Sequence, residues 1–218
     1  MRSTYLTLTA MAALLFTACG PSEAEVKAAK EKATADSLAT AAAMEHSFSL
    51  DAANSSIQWK GVMLGVKEHF GTINLKEGKF ALKGGQLSAG SFMLDMTSIA
   101  PLDTNYAPDG AKKGTRANLI GHLMSPDFFD VATHPTAMFE ITSVEGSTAK
   151  GNLTVRGKTN EESVTDIAVT EEGGVTKASG KLVFDRQKYG VAFSTGLKDM
   201  VVSDNIELTV TLTAQAAM

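Results

Sequence analysis

The sequence predicts an all-β fold of about eight antiparallel strands, closed into a barrel or folded into a sandwich. Three observations carry that expectation. Apolar and polar residues alternate with a period of two from Ser55 to the end of the chain, as in strands with one buried and one wet face. Turn signals such as Gly84-Gly85 and Glu171-Glu172-Gly173-Gly174 separate the alternating runs. One segment, Leu119 to Met124, departs from the pattern and ends at Ser125-Pro126, which reads as a short helix closed by proline.

The strands follow in order. Ile57 and Trp59 alternate with Ser56, Gln58 and Lys60, and Ile73 and Leu75 with Thr72, Asn74 and Lys76. A turn is expected at Glu77-Gly78, before Phe80 and Leu82. After Gly84-Gly85, Gln86 to Ile99 reads as one long strand with Phe92, Leu94 and Met96 on a common face. Beyond the helical connection, expected over Tyr106 to Phe129, Ala137, Phe139 and Ile141 form a strand. Leu153 and Val155, then Ile167 and Val169, then Ala178, Gly180, Leu182 and Phe184 give the next faces. Ile206, Leu208, Val210 and Leu212 form the last. Gly151 and Gly157 bracket a strand and suggest tight bends. A sheet of this size must curl, pair with a second sheet or close, and closure removes its exposed edges. Periodicity does not choose between barrel and sandwich.

Three motifs do suggest a choice. The first runs from Leu119 to Thr142, LIGHLMSPDFFDVATHPTAMFEIT, in which the helix is followed by the aromatic pair Phe128-Phe129 and, after Pro135, by strand entry. The others are GNLTVRG at Gly151–Gly157 and FDRQKYGV at Phe184–Val191. In this order they closely resemble the signature of the YceI-like family, from about Ser47 to the C-terminus. The resemblance implies a lipocalin-like closed antiparallel barrel with one helical connection. It also implies a polyisoprenoid or isoprenoid-quinone type of lipid held in the interior.

The N-terminus reads as a targeting segment. Arg2 is basic, and Leu6 to Phe16 is apolar but shorter than the roughly 20 residues a bilayer span needs. Leu15-Phe16-Thr17-Ala18-Cys19-Gly20 resembles a bacterial lipobox, with Phe16 where Leu, Val or Ile is usual. That resemblance implies a signal peptide over 1–18 and lipidation of Cys19. The alternative is a plain secretory signal that leaves an ordinary thiol. Cys19 is the sole cysteine, so no intramolecular disulfide can form. Residues 19–46 are rich in Ala, Lys and Glu without an apolar stripe, and read as a helical tether. Residues 47–218 are the barrel domain. The expected location is the cell envelope, exported to the periplasm and anchored to a membrane, with the outer membrane favoured; nothing after Cys19 resembles an inner-membrane retention signal, and the sequence leaves the choice of membrane and leaflet open.

Composition narrows the function. A formal charge of −4 offers no basic surface for nucleic acid. Aromatic residues are 6% of the chain, but ten are Phe and one is Trp, the kind of apolar bulk an interior uses. The histidines His46, His69, His122 and His134 show no metal-ligand spacing, and no GxSxG elbow, P-loop or dinucleotide fingerprint is present. No catalytic residue, metal or cofactor is expected. Asp185, Arg186, Lys188 and Tyr189 read as an ion pair closing a turn, with Tyr189 over one barrel mouth. Asp127 and Asp130 read as turn and cap residues around Pro126. The methionines, among them Met63, Met124 and Met138, suit either an adaptable ligand surface or ordinary core.

The favoured reading is a lipid-binding or lipid-carrying lipoprotein. A filled, ligand-free structural or envelope-stress module and, less favoured, an enzyme acting on bound lipid are the alternatives. Expected lining residues are Trp59, Phe92, Leu94, Met96, Phe139, Ile141, Leu153, Val155, Ile167, Val169, Leu182, Phe184, Leu208 and Val210. Each lies on the apolar face of an expected strand, though the same alternation serves a solid core. Arg156, Lys112, Lys113 and Arg116 are weaker candidates for a headgroup at the mouth. The expected partners are a lipid and, through Cys19, a membrane. The oligomeric state stays open, a homodimer included.

Overall fold

The computed structural model describes residues 22–198 and 200–216. Residues 1–18, expected to be a signal peptide, and Cys19 lie outside them. The chain divides into two units, Met1–Ala41 and Ala42–Met218.

Helix α1 spans Glu23–Ala43, all but its last two residues in the first unit. Its start is a reciprocal cap: the Ser22 amide donates to Glu25 Oε2 at 2.7 Å, and the Glu25 amide donates to Ser22 Oγ at 3.3 Å. Its side chains between Glu23 and Ser37 are exposed, as the missing apolar stripe requires.

The second unit holds nine strands: β1 (Glu45–Leu50), β2 (Ser56–Met63), β3 (Lys67–Lys83), β4 (Gln86–Pro101), β5 (Thr136–Glu145), β6 (Thr148–Val155), β7 (Lys158–Glu172), β8 (Val175–Asp185) and β9 (Val202–Ala216). The first begins inside the stretch read as tether. All neighbours are antiparallel, and β3 to β9 follow each other around the sheet. β1 and β2 share one position. Both lie between β3 and β9, β1 against Lys79–Lys83 and β2 against Lys67–Ile73. The break between them is a single 3-10 turn, Ala52–Asn54, capped by Asp51, which accepts from the Ala53 and Asn54 amides. The nine strands therefore make a closed eight-position barrel, a size whose interior admits packed side chains or one small ligand.

One expected turn is absent. β3 runs unbroken through Glu77-Gly78, with a register shift between Leu75 and Glu77. Gly78 serves close packing instead: a Cβ there would lie 2.6 Å from Leu50 Cδ1 and 3.1 Å from the Ser91 carbonyl oxygen. Gly151 likewise lies inside β6, where a Cβ would come within 2.5 Å of the Phe139 ring. Gly157 does make a turn, with Arg156 and Gly157 at φ 50° and 70° joining β6 to β7, as a type I′ hairpin needs.

The meander sorts the connections by length. One end carries the tight turns after β3, β5 and β7. The other carries the β2–β3 hairpin, the β6–β7 hairpin and two long connections. The β4–β5 connection contains helix α2 (Arg116–Met124), and the β8–β9 connection begins with a 3-10 turn at Arg186–Tyr189. α2 starts in a capping box: Thr115 Oγ1 accepts from the Asn118 amide, and Asn118 Oδ1 accepts from the Thr115 amide. It stops at Ser125, before Pro126.

Candidate functional site

The inward faces of the strands enclose two apolar chambers of about 100 and 90 Å³. One water needs roughly 10–15 Å³ on this measure, so each chamber takes a short stretch of slender apolar chain. The inner chamber includes Ile57, Phe80, Phe92, Phe139, Ile141, Ile167, Leu182 and Val210. The outer one includes Trp59, Ile73, Met96, Val155, Phe184 and Ile206. Leu94, Ala137, Leu153 and Leu208 line both. They come from four different strands and form the waist between the chambers.

Of the lining positions expected from alternation, all but Val169 line one or both chambers. Val169 packs against the edge of the core instead. Ile57, Leu75, Phe80 and Leu87 also line the inner chamber, as does Val164, which strict alternation does not place inward. A register shift between Thr165 and Ala168, with Asp166 at φ 55°, turns both Val164 and Ile167 inward. A bulge is invisible to a strict period of two.

A third chamber of about 260 Å³ lies under α2 and shares Trp59, Gly61, Val62, Leu123, Phe128 and Val202 with the outer apolar chamber. These six residues form a throat. Unlike the bore, this antechamber is partly polar, with Lys67, His69, Tyr106, Thr115, Asn118 and His122 in its wall. Trp59 is fixed at the throat by its indole, which donates to the Thr72 carbonyl at 3.1 Å.

The polar wall is organised by Asp103. It accepts from Tyr106 Oη at 2.7 Å and lies 2.9 Å from His69 Nδ1, while the His69 and Tyr106 rings stack at 5.6 Å. Burial pushes the Asp103 carboxyl up, but the hydrogen bonds from Tyr106 and His69 outweigh it and hold the group below its ordinary value. Burial, then the bond to Asp103, push the Tyr106 phenol up, so it remains a donor rather than a nucleophile. The arrangement is that of a fixed polar wall.

The rest of this end is closed by long side chains. Arg156 donates to the carbonyls of Gly190 and, at 2.7 Å, of Pro126, tying the two long connections together. Arg116 donates to the Pro101 carbonyl. Both arginines thus hold backbone carbonyls, and the Arg116 side chain is otherwise exposed. Lys112 and Lys113 stand exposed on the connection. Arg186 is 3% exposed and pairs with Asp204 at 3.2 Å, not with its neighbour Asp185. Its other donors go to the Ser203, Val191 and Val202 carbonyls. Asp185 caps the 3-10 turn by accepting from the Gln187 amide. Tyr189 is fully buried, edge-on to Phe184 at 5.3 Å, with its hydroxyl on Glu162 at 3.1 Å. Asp130 accepts from Thr133 and turns the chain toward β5. Among the described residues no three His, Cys, Asp or Glu side chains are grouped as a metal site. His122 packs on Phe128 and Phe193, while His134 lies over Gly157, so the two are not brought together.

The YceI-like domain model matches residues 48–214, the whole barrel from β1 to β9. The chain belongs to the YceI-like family. This YceI-like barrel is 29% identical over 161 residues to a UPF0312 protein of Staphylococcus aureus, across 69% of this chain and 85% of the relative. Among solved structures it is similar to Burkholderia cenocepacia BcnA, with a TM-score of 0.55 at 19% identity over 76% of this chain and 99% of BcnA. It also matches a polyisoprenoid-binding domain from Saccharophagus degradans implicated in plant cell wall breakdown, with a TM-score of 0.48 at 13% identity over 78% of this chain and 98% of that domain.

Proposed function

We propose that this YceI-like protein binds and carries a long amphiphilic lipid of the polyisoprenoid type. The tail occupies the bore and the polar end the antechamber. The observation that carries this reading is the order of compartments: a partly polar chamber, a throat, and two apolar chambers joined at a waist. A chain laid along them leaves water at roughly 25 cal/mol per Å² of apolar area, and its polar end stays among hydrogen-bonding groups. Family membership supports the polyisoprenoid class. Lipidation at Cys19 and attachment of the barrel to an envelope membrane through the 19–46 segment are part of the same proposal.

An apolar rim favours exchange with a bilayer. Leu64, Val66, Phe70, Leu102, Leu197 and Val201 are all exposed. They stand on adjoining segments of the antechamber end: the Leu64 amide donates to the Val201 carbonyl, and the Leu102 amide to the Phe70 carbonyl, both at 2.8 Å. Nearby charges are mixed, with Lys112, Lys113 and Lys198 beside Glu68 and Asp109, so apolar contact would dominate. Leu64→Ser combined with Leu197→Ser should slow lipid uptake from vesicles roughly tenfold or more, given about 1.5–3 kcal/mol per fully buried leucine. Affinity for the same lipid in detergent should not change. Equal uptake rates would remove the rim from the pathway.

Trp59 supplies the binding assay. It is the only tryptophan in the chain and stands at the throat. Titrating the full-length protein in detergent with a long-chain polyprenol should change its emission saturably at one lipid per chain. A flat titration with a folded protein would count against binding.

A further inference from the structure

The barrel has two unlike ends, and the chain enters it at the end far from the antechamber. β1 begins at Glu45, which pairs with Lys83, the last residue of β3. This is the end of the tight turns, where Lys83 meets Gln86, Glu145 meets Thr148 and Glu172 meets Val175. The antechamber takes Lys67 and His69 from the first residues of the same strand. β3 therefore runs the length of the barrel from one end to the other. Its 17 residues, at about 3.3 Å each and tilted as barrel strands are, separate the mouth from the point of chain entry by roughly 40 Å.

The ends differ in chemistry as well as in place. The apolar rim, from Leu64 to Val201, belongs to the antechamber end. The entry end is hydrated: it exposes Glu45, Lys83, Glu145, Glu171 and Glu172 around turn glycines. Among the described residues, Met44, beside the point of entry, is its one exposed large apolar side chain. Charged groups keep their water, whereas large apolar side chains gain by entering the headgroup boundary of a bilayer. The end that suits a membrane is thus opposite the end where the chain is attached.

The segment ahead of the barrel is poorly built to undo this. Helix α1 ends at Ala43 and β1 begins at Glu45, so Met44 alone joins them. A helix of 21 residues is about 32 Å long, no longer than the barrel itself. Bringing the mouth to the anchoring membrane requires the chain to reverse at Met44 and lie back along the barrel wall. α1 has no apolar stripe to hold it there.

We propose that the protein, anchored through Cys19, presents its mouth to a second, apposed bilayer and exchanges lipid with that membrane rather than with the one that holds it. The inference rests on the lipid-binding and anchoring readings above and adds a direction to them. Anchor and mouth at opposite ends make the barrel a carrier between two membranes.

Dilution is the test. The protein purified from its envelope in detergent is stripped of bound lipid and reconstituted sparsely into phosphatidylcholine vesicles that contain a long-chain polyprenol. Loading is followed through the emission of Trp59. Each barrel must load from another vesicle, so a tenfold dilution should slow loading about tenfold. A flexible Gly/Ser insert of about 20 residues between Met44 and Glu45, up to roughly 70 Å when extended, should let the mouth reach its own membrane and make loading independent of dilution. Wild-type loading that ignores dilution overturns the inference, as does a lengthened chain that still slows on dilution. A protein that loads in detergent but from no vesicle overturns it in favour of a protein partner. A protein that does not stay on the vesicles overturns it by removing the anchor. Lipid binding stands in each of these cases. Failure to take up polyprenol even in detergent overturns the lipid-binding reading, and this inference falls with it.

Discussion

Gly61→Phe is expected to leave the barrel folded and to abolish lipid loading. Gly61 lies in β2 and lines both the antechamber and the outer apolar chamber. A Cβ built on it meets nothing within 4 Å, so a side chain there enters open space. Its φ is outside the positive region that glycine alone tolerates. A phenyl ring would project into the throat beside Trp59, Leu123 and Phe128. Thermal stability should therefore stay within about 1 kcal/mol of wild type, while polyprenol binding falls below detection. Unimpaired loading in a folded Gly61→Phe protein would mean that lipid enters by another route.

Phe139→Arg is expected to damage both stability and binding. Phe139 stands in β5, pairs with Phe92 and Leu153 on either side, and lays its ring on Gly151. It lines the inner chamber, which is apolar on all sides. A guanidinium there has no carboxylate to meet. The cost should be about 3–5 kcal/mol, from the lost aromatic packing and the unpaired charge. Chemical denaturation reads the stability, and lipid extraction of the purified variant reads the binding. If stability and lipid content both match wild type, Phe139 does not face the bore.

The two variants separate two properties of one cavity. Gly61→Phe blocks passage without disturbing packing, whereas Phe139→Arg breaks the packing that makes the bore. A protein whose interior is simply filled would respond to the second and not to the first.

Much of the barrel was legible because β-structure with one wet face writes its burial into alternation. The inward positions of β5, β6, β8 and β9 follow from it directly, whereas β4 turns Leu87 and Ile99 inward as well as Phe92, Leu94 and Met96, across register shifts against β3. The departures from it have separate physical causes. Glu77-Gly78 looked like a turn because glycine marks turns more often than close packing, yet Gly78 makes room for Leu50 and Phe92 from other strands. Val164 was missed because a bulge at Asp166 resets the alternation within β7. The break between β1 and β2 depends on the Asp51 cap, and an Asp before Ala-Ala-Asn gives only a weak local signal.

The antechamber was the least legible part. Asp103 meets His69 across 34 residues of sequence, and no spacing rule reaches that far. His122 sits inside the most distinctive motif, but its packing against Phe193 comes from the β8–β9 connection, far along the chain. Arg156 and Arg116 read from the sequence only as cations near a mouth. Their carbonyl partners, Gly190, Pro126 and Pro101, become visible only once the connections are folded over the barrel end.

The central claim is that the bore of this YceI-like barrel holds a lipid. The most direct measurement is lipid mass spectrometry on the full-length protein purified from its native envelope in mild detergent. The expected result is one long-chain isoprenoid amphiphile per protein molecule, released only on unfolding or solvent extraction. A folded, stable protein that yields no stoichiometric lipid, and that takes none up from a polyprenol-loaded micelle, would contradict it.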